Sequence, residues 1–513
     1  MDEILIKEIR DKIDSIDDLI LKSFLERMKL SEQIAKHKAE NHMPIEDTSR
    51  EFEIIEDVSA RSGNFAQYTT AFFRTMLELS KDYQENWIRD YIEDQRLKIV
   101  QMPGVYGLLG YKLSHSYSEQ IHKMLGLGGK IAYDYRILEM LPEELEAFLK
   151  RPDIQGINVT IPYKTAVLTF CKKISNEVLR CGAANTIVNK KGKLYAYNTD
   201  IEGFKYMVKV SGINVAGKKV LILGSGGASK AIKCALEDLH AGEIIIISRD
   251  GPHSYDNLDL HANANIIVNT TPVGMYPNNL EKPISLRNFP LLSGVLDIIY
   301  NPELTGLLLE AESLNLPYAG GLHMLVAQAR ASFELFFDKK LPDSAVEKIV
   351  NQLRNENQNI ILTGMPGCGK STIGKALSAV TGREFIDIDK EIEKEEHKSC
   401  AEIITKFGEE HFRDLETAKI FELCKLSGKI IALGGGAVLR KENYPALHQN
   451  GKIFFIRRDV ELLPTDDRPL SKSPETLKEM QKIRLPIYNE LSDFQIENNT
   501  TVEDAVKQIL KYI

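Results

Sequence analysis

Residues 359–371 read NIILTGMPGCGKS, and residues 218–229 read KKVLILGSGGAS. Each joins a short apolar run of strand character to a glycine-rich turn and then to a helical pattern, the context that turns a glycine string into a phosphate cradle. In 359–371 the spacing is GxxxxGK[ST]. Backbone N–H groups around Gly364, Gly367 and Gly369 are expected to wrap the phosphates of a nucleoside triphosphate. Lys370 would reach the outer phosphates, while Ser371, followed by Thr372, opens the helix with a hydroxyl for Mg2+. In 218–229 the tighter spacing of Gly224, Gly226, Gly227 and Ala228 is that of a dinucleotide loop. A chain with both cradles is expected to run a redox step and a phosphoryl transfer.

Outward from these loops, the length of 513 residues predicts three or four domains at about 150 residues each. A hydrophobic content of 43% and an aromatic content of 8% are those of packed globular cores. The net charge of -8 argues against a general nucleic-acid surface, so bound anions are expected to meet local arginines. The six cysteines form no CxxC pair and are too few for a disulfide framework. The N-terminus, MDEILIKEIRDKID, is charged throughout, and no apolar run reaches the length of a membrane span. These features predict a cytoplasmic enzyme with small-molecule partners, no nucleic acid and no membrane.

Three segments differ in periodicity. Over residues 4–40, Ile6, Ile9, Ile13, Ile16 and Ile20 step by threes and fours, the seam of a long bundle helix. Further helices are expected from about 49 to 62 and from about 65 to 95, with no strand signal. From Val105 short β-rich runs alternate with helical stretches to about Phe337, and a second α/β unit begins at Ile360 and runs to the end. The fold class is therefore multidomain: an all-α segment over 1–98, an α/β segment over 103–340 and an α/β segment over 357–513.

In the helical segment Arg27 and Lys38 are 11 residues apart, three turns at about 3.6 residues each, so both project from one face. Cations inside an apolar seam are costly unless an anion meets them. Arg10 lies about 25 Å from Arg27 along a straight helix at roughly 1.5 Å per residue, too far to serve the same site in one chain. A second subunit would supply it. IKEIRDKID, ERMKLSEQIAKHK, PIEDTSREFE and ELSKDYQ together resemble the all-helical chorismate mutase family over about residues 4–95. The resemblance implies that Arg27 and the partner subunit's Arg10 hold the carboxylates of chorismate, with Asp47 and Arg50 in support. Glu51 would take the hydroxyl, and Lys38 and Gln84, with Ser80 on the same face, would meet the breaking ether oxygen. It also implies a homodimer through this helical domain. A concerted rearrangement needs a compressed conformer and donors aimed at developing negative charge, which this set supplies.

The middle segment carries HSYS, GINVTIPYK, GAANT, YNTD, NTTPVGM, DIIYNP and GGLHMLVAQA, and resembles shikimate dehydrogenase from about Gly104 to Phe337. The resemblance implies a substrate part over about 103–210 and 315–340 and a Rossmann part over about 215–314. Ser116 and Ser118 would bind the substrate carboxylate, and Thr160, Asn185, Asp200 and Gln328 its hydroxyls. Tyr300 would join the substrate contacts and Gly320 those of the cofactor. Lys164, paired with Asp200, would move the proton that accompanies hydride transfer. His115 and His323 have no metal-ligand spacing and are expected to be structural. At the end of EIIIISRD stands Arg249, where an acidic residue would favour NAD, so NADPH is expected. Only about 20 residues separate Arg249 from NTTPVGM, room for little more than a short helix and a strand at roughly 1.5 and 3.3 Å per residue.

The last segment adds FIDIDKEI, GEEHFRDLE, ALGGGAV, DDRPL and RLPIY to its triphosphate loop and resembles shikimate kinase from about Asn359 to Ile513. Here the resemblance assigns Arg413 and Arg484 to the carboxylate of shikimate and Asp389 to its hydroxyls as acceptor of the nucleophile's proton. Asp387 would join Ser371 in holding Mg2+, Gly435 and Gly436 would let substrate approach the backbone, and Arg468 would reach the phosphates of ATP from a lid. Glu416, three residues after Arg413, is expected to orient it. The combined reading is a trifunctional enzyme of aromatic amino-acid biosynthesis. Two contrasting readings stay open: a helical segment that only dimerises or senses chorismate or prephenate, and a middle domain that accepts quinate.

Overall fold

The computed structural model describes residues 3–41, 43–45, 47–97, 99–113, 116–463 and 474–513. Arg468, most of the lid around it and His115 lie outside these residues. The chain forms two compact units, Met1–Met102 with Lys130–Ala132, and Pro103–Gly129 with Tyr133–Ile513.

The first unit is built on three helices, Glu3–Glu40, Thr48–Arg61 and Ala66–Leu97. Asp47 starts the second by accepting a hydrogen bond from the Arg50 N–H, an N-cap. The first and third helices meet where the first carries small residues: Ser31 and Ala35 are buried, and the Ser31 and Ser80 hydroxyls lie 2.7 Å apart. Toward the N-terminus the isoleucine seam has no such cover, with Ile13 50% and Ile16 56% exposed. A short strand, Val100–Gln101, pairs in parallel with Ile131–Ala132.

The second unit contains three sheets. A six-stranded mixed sheet runs in the order Tyr135–Glu139, Val105–Gly110, Ile154–Val159, Thr186–Lys190, Lys193–Tyr197 and Lys173–Ile174. A five-stranded parallel sheet follows, in the order Glu243–Ile247, Lys219–Leu223, Ile266–Asn269, Gly294–Asp297 and Tyr318–Ala319. Its central strands read KVLIL, IIVN and GVLD and are almost wholly buried, as strands covered by helices on both faces must be. Between Glu243–Ile247 and Ile266–Asn269 the connection holds only a 3-10 segment, Tyr255–His261, in place of a full helix. The third sheet is also five-stranded and parallel, in the order Phe385–Asp387, Ile430–Ala432, Asn359–Thr363, Gly451–Arg457 and Phe494–Glu497.

Residues 341–356 carried no domain assignment from sequence. Most of them form the helix Asp343–Asn357, whose Val346, Ile349, Val350 and Leu353 are buried. A single residue, Gln358, separates this helix from the strand Asn359–Thr363. The two α/β parts are thus joined without a free linker.

Candidate functional sites

In the helical unit Arg27 is half-buried, and one of its guanidinium nitrogens, Nη1, is buried without a hydrogen-bond partner. Burial lowers the pKa of this arginine. Across the helix pair Gln84 is buried and its Oε1 is likewise unpartnered. Ser80, one turn before Gln84, is tied to Ser31, one turn after Arg27. Lys38 donates to the Ile45 carbonyl at 2.6 Å, and Glu51 pairs with Lys81 at 3.0 Å. Not every expected residue joins this face. Arg50 pairs with Glu53 in solvent, with side chains 67% and 64% exposed, while Arg10, expected to serve a second subunit's site, is exposed. Asp47 spends its carboxylate on the helix cap.

In the dehydrogenase-like part, the end of Ile154–Val159 leads through Thr160 to Lys164, whose ammonium lies 2.6 Å from Asp200. Asn185 donates to Asp200 at 2.8 Å and to Gln328 at 3.4 Å, so four expected residues form one cluster. Gln328 reaches it because its helix lies close to Asp200–Ser211: a Cβ on Gly203 would meet the Met324 carbonyl at 2.7 Å. Sequence reasoning missed the hydroxyls that fix Asn185. The Thr199 N–H and hydroxyl donate to its Oδ1 at 2.7 and 3.2 Å, and Thr186 does so at 3.0 Å. Both threonines sit inside the motifs GAANT and YNTD, so the signal was present. Ser116 and Ser118 hydroxyls lie 3.0 Å apart at the start of the helix Ser118–Gly129, where free N–H groups favour a carboxylate.

The dinucleotide loop closes on this cluster. A Cβ on Gly227 would stand 3.7 Å from Lys164 Cδ, and one on Gly226 would face open space. Gly224 has φ +101, a conformation glycine adopts freely. Arg249 is exposed at the end of Glu243–Ile247, and Asp250 beside it is exposed too. Tyr300 is half-buried with its ring 5.4 Å from that of Tyr117. Gly320 packs on the same loop, since a Cβ there would lie 2.9 Å from the Glu303 carbonyl. His323 stands 3.4 Å from Glu347.

In the kinase-like part, Gly364, Gly367 and Gly369 all have positive φ, and the helix Lys370–Thr381 starts directly after them. Lys370 folds over the loop, donating to the Gly364 and Met365 carbonyls at 2.9 and 3.1 Å. Ser371 donates to Asp387 at 2.6 Å, which puts two hard oxygen donors together as Mg2+ requires. Thr372 follows on the exposed first turn.

The turn Gly434–Gly436 packs against five polar neighbours. A Cβ on Gly434 would meet Glu416 Oε1 at 2.1 Å and Asp389 Oδ1 at 2.8 Å, and one on Gly436 would strike the Arg413 guanidinium at 2.1 Å. Arg484 and Tyr488 donate to the Gly435 carbonyl at 2.9 and 2.6 Å. Arg413 is buried and pairs with Glu416 at 2.7 Å and Glu409 at 3.0 Å. Burial raises the Asp389 carboxyl above its usual range, helped by Asp387, and pushes Glu416 up to about 7 against the pull of Arg413. Asp389 Oδ1 and Glu416 Oε1 have no hydrogen-bond partner. Tyr488 carried no signal beyond its place at the end of RLPIY.

The fold and these sites define a chain that joins a helical unit to an α/β part with a dinucleotide-type loop and an α/β part with a triphosphate-type loop. Residues 9–85 match the family model for chorismate mutase type II, and 108–187 that for the shikimate dehydrogenase substrate binding domain. Residues 321–350 match the shikimate 5'-dehydrogenase C-terminal domain, and 366–513 shikimate kinase. A shikimate dehydrogenase (NADP(+)) of Clostridium beijerinckii is 34% identical over 266 residues, covering 49% of this chain and 98% of that protein. One from Caldicellulosiruptor bescii is 37% identical over 256 residues, 45% of this chain and 88% of that protein. Among solved structures, a chorismate mutase/shikimate 5-dehydrogenase fusion protein from Clostridium acetobutylicum is 34% identical. That match has a TM-score of 0.47 and covers 49% of this chain and 97% of the other. The chain belongs to the shikimate dehydrogenase family, and it carries a chorismate mutase type II domain before that segment and a shikimate kinase domain after it.

Proposed function

We propose that this polypeptide rearranges chorismate to prephenate, reduces 3-dehydroshikimate to shikimate with NADPH, and phosphorylates the shikimate 3-hydroxyl with ATP. The observation that carries the reading is the Lys164–Asp200 pair, bonded into the Asn185–Gln328 cluster and one van der Waals contact from Gly227 of the dinucleotide loop. An ammonium held in this way, with its side chain near the dinucleotide loop, supports the reading of Lys164 as proton donor.

When bound, NADPH supplies the hydride, and ATP with Mg2+ supplies the phosphoryl group. Lys164 gives the proton to the carbonyl oxygen as it becomes a hydroxyl, and Asp200 keeps the ammonium in line. Ser116 and Ser118 hold the carboxylate; Thr160, Asn185 and Gln328 orient the hydroxyls, and Tyr300 closes the substrate side. The exposed guanidinium of Arg249 suits a 2'-phosphate.

In the kinase, Arg413 and Arg484 hold the substrate carboxylate over the Gly434–Gly436 turn. Asp389, raised by burial, takes the proton from the attacking hydroxyl, and Lys370 and Arg468 neutralise phosphate charge. In the mutase, the unpartnered Arg27 and Gln84 atoms are desolvated groups that an anionic substrate would satisfy. The presence of Lys38 and Gln84 favours catalysis over sensing alone. The uncovered isoleucine seam supports a homodimer through the helical domain, with Arg10 entering the partner's site. All six cysteines are free, in keeping with a reducing cytoplasm.

Assaying the purified chain separately for the three conversions tests the proposal. Three activities are expected, and the absence of any one removes that domain's assignment.

A further inference from the structure

The junction helix and the kinase-like part hold loops of the dehydrogenase site or its neighbours. Tyr117, between Ser116 and Ser118, donates its hydroxyl to Asn357 Oδ1 at 3.1 Å, at the last residue before the junction. In the loop after Tyr300, the Glu303 N–H donates to Asn450 Oδ1 at 2.8 Å and the Leu304 N–H to the Gln449 carbonyl at 2.9 Å. The Glu303 carboxylate is held in turn by Arg354 and by Gln358, the junction residue. Beyond NTTPVGM, buried Asn279 donates to Gln449 Oε1 at 2.6 Å, and Leu280 packs against the core of the kinase sheet. Tyr117, Tyr300, Asn357 and Asn450 line one small cavity.

The turn that supplies Gln449 and Asn450 is remote from the kinase chemistry. It leads into the N-terminal end of Gly451–Arg457, and the Asn359 N–H donates to the Asn450 carbonyl at 2.7 Å. The triphosphate loop begins at the other end of the five-residue strand Asn359–Thr363, about 16 Å away at roughly 3.3 Å per residue. These side chains therefore do nothing for phosphoryl transfer, yet they are the partners of dehydrogenase loops.

We infer that Asn357, Gln449 and Asn450 are positioning residues of the dehydrogenase, lent to it by the junction and by the base of the kinase sheet. The inference rests on the reading of Ser116, Ser118 and Tyr300 as substrate contacts. Hydrogen bonds from the end of the junction helix to Tyr117, and from the base of the sheet to the loop after Tyr300, hold these loops at the spacing the substrate needs, so their loss loosens substrate binding before it slows proton transfer.

The test uses the full chain with Asn357→Ala, Asn450→Ala and Asn450→Asp, which remove or keep the side-chain acceptors of Tyr117 and of the Glu303 N–H. Loss of one such bond is expected to raise the dehydrogenase KM for shikimate about three- to tenfold. Turnover should change less than about twofold on the same argument, because Lys164 and Asp200 are untouched. Kinase constants measured below the melting transition should stay at wild-type values, while the melting temperature falls modestly because a part-buried donor loses its partner. Asn450→Asp keeps the acceptor oxygen for the Glu303 N–H, so its KM should lie nearer the wild-type value than that of Asn450→Ala, although the buried carboxylate lowers stability. Unchanged dehydrogenase constants in both alanine variants would overturn the inference, as would both activities falling together with the melting temperature. Hydrogen exchange over 116–118 and 300–306 needs no assigned substrate: faster exchange in Asn450→Ala is expected, and unchanged exchange overturns the clamp. Faster exchange in a chain with no dehydrogenase activity would instead refute the substrate reading and leave the clamp standing.

Discussion

Lys164, proposed as the proton donor, is oriented by its surroundings. An ammonium 2.6 Å from a carboxylate, with side chains 17% and 12% exposed, is held at one orientation rather than sweeping through solvent. Lys164→Ala is therefore expected to lower dehydrogenase turnover by about 10² to 10⁴ while moving KM much less. Steady-state kinetics decide this, and a pure KM effect would make Lys164 a binding group. Glu416 makes a different prediction. Its carboxyl is pushed by burial from 4.5 to about 7, so between these values the folded chain keeps a proton that the unfolded chain has lost. More protons bound in the folded state means that stability falls as pH rises through the window, with the full loss present above about 7. Thermal melts of the ligand-free chain from pH 4.5 to 7.5 should show this slope, and Glu416→Gln should flatten it. An equal slope in both proteins would place the titration elsewhere.

At the scale of elements, the strand Glu243–Ile247 ends in Arg249 while the connection after it is reduced to a 3-10 segment. The guanidinium has room for a 2'-phosphate and little protein around it to exclude water. A charge-assisted contact of about 1.5 to 3 kcal/mol gives a roughly ten- to hundredfold preference for NADPH over NADH. Comparing kcat/KM for both cofactors in wild type and Arg249→Ala checks it. Loss of the preference is expected, and an unaltered ratio would leave Arg249 a solvated strand end. The helix Glu3–Glu40 poses the matching question in the first unit, because its seam is uncovered where Arg10 lies. Mixed dimers of Arg10→Ala and Arg27→Ala chains should regain part of the mutase activity that each lacks alone. Verified subunit exchange with no recovery would argue for a site within one chain.

Across the whole molecule, the end of the kinase sheet that meets the dehydrogenase is the end away from its phosphate loop. Ligands of parallel α/β sheets bind at the carboxyl ends of the strands. If the dehydrogenase works in the proposed direction, its product meets the base of the kinase rather than its phosphate loop. In a coupled assay from labelled 3-dehydroshikimate, unlabelled shikimate added to the medium should dilute the label of shikimate 3-phosphate in full. Retained label would reveal direct transfer.

The sequence by itself determined the three kinds of fold and singled out the loops and side chains proposed to carry the chemistry. Phosphate loops, alternating strands and a three-four stripe are local patterns, written in consecutive residues whose spacing is the geometry. Lys164, Asp200 and the glycines were legible for that reason, and so was the pairing of Glu416 with Arg413 at i, i+3. The Asp47 helix cap and the solvent-exposed Arg50–Glu53 pair were not, because they depend on where one helix starts and on what covers it. Only the tertiary structure decided that Thr199 and Thr186 fix Asn185 and that Asp343–Asn357 runs into the kinase sheet across one residue. It alone set Gln449 and Asn450 against Asn279 and Glu303. Those contacts join residues about 150 positions apart, and no local periodicity records them. They follow from how two finished sheets pack, which is settled by the buried faces and unpaired polar groups that each presents once folded.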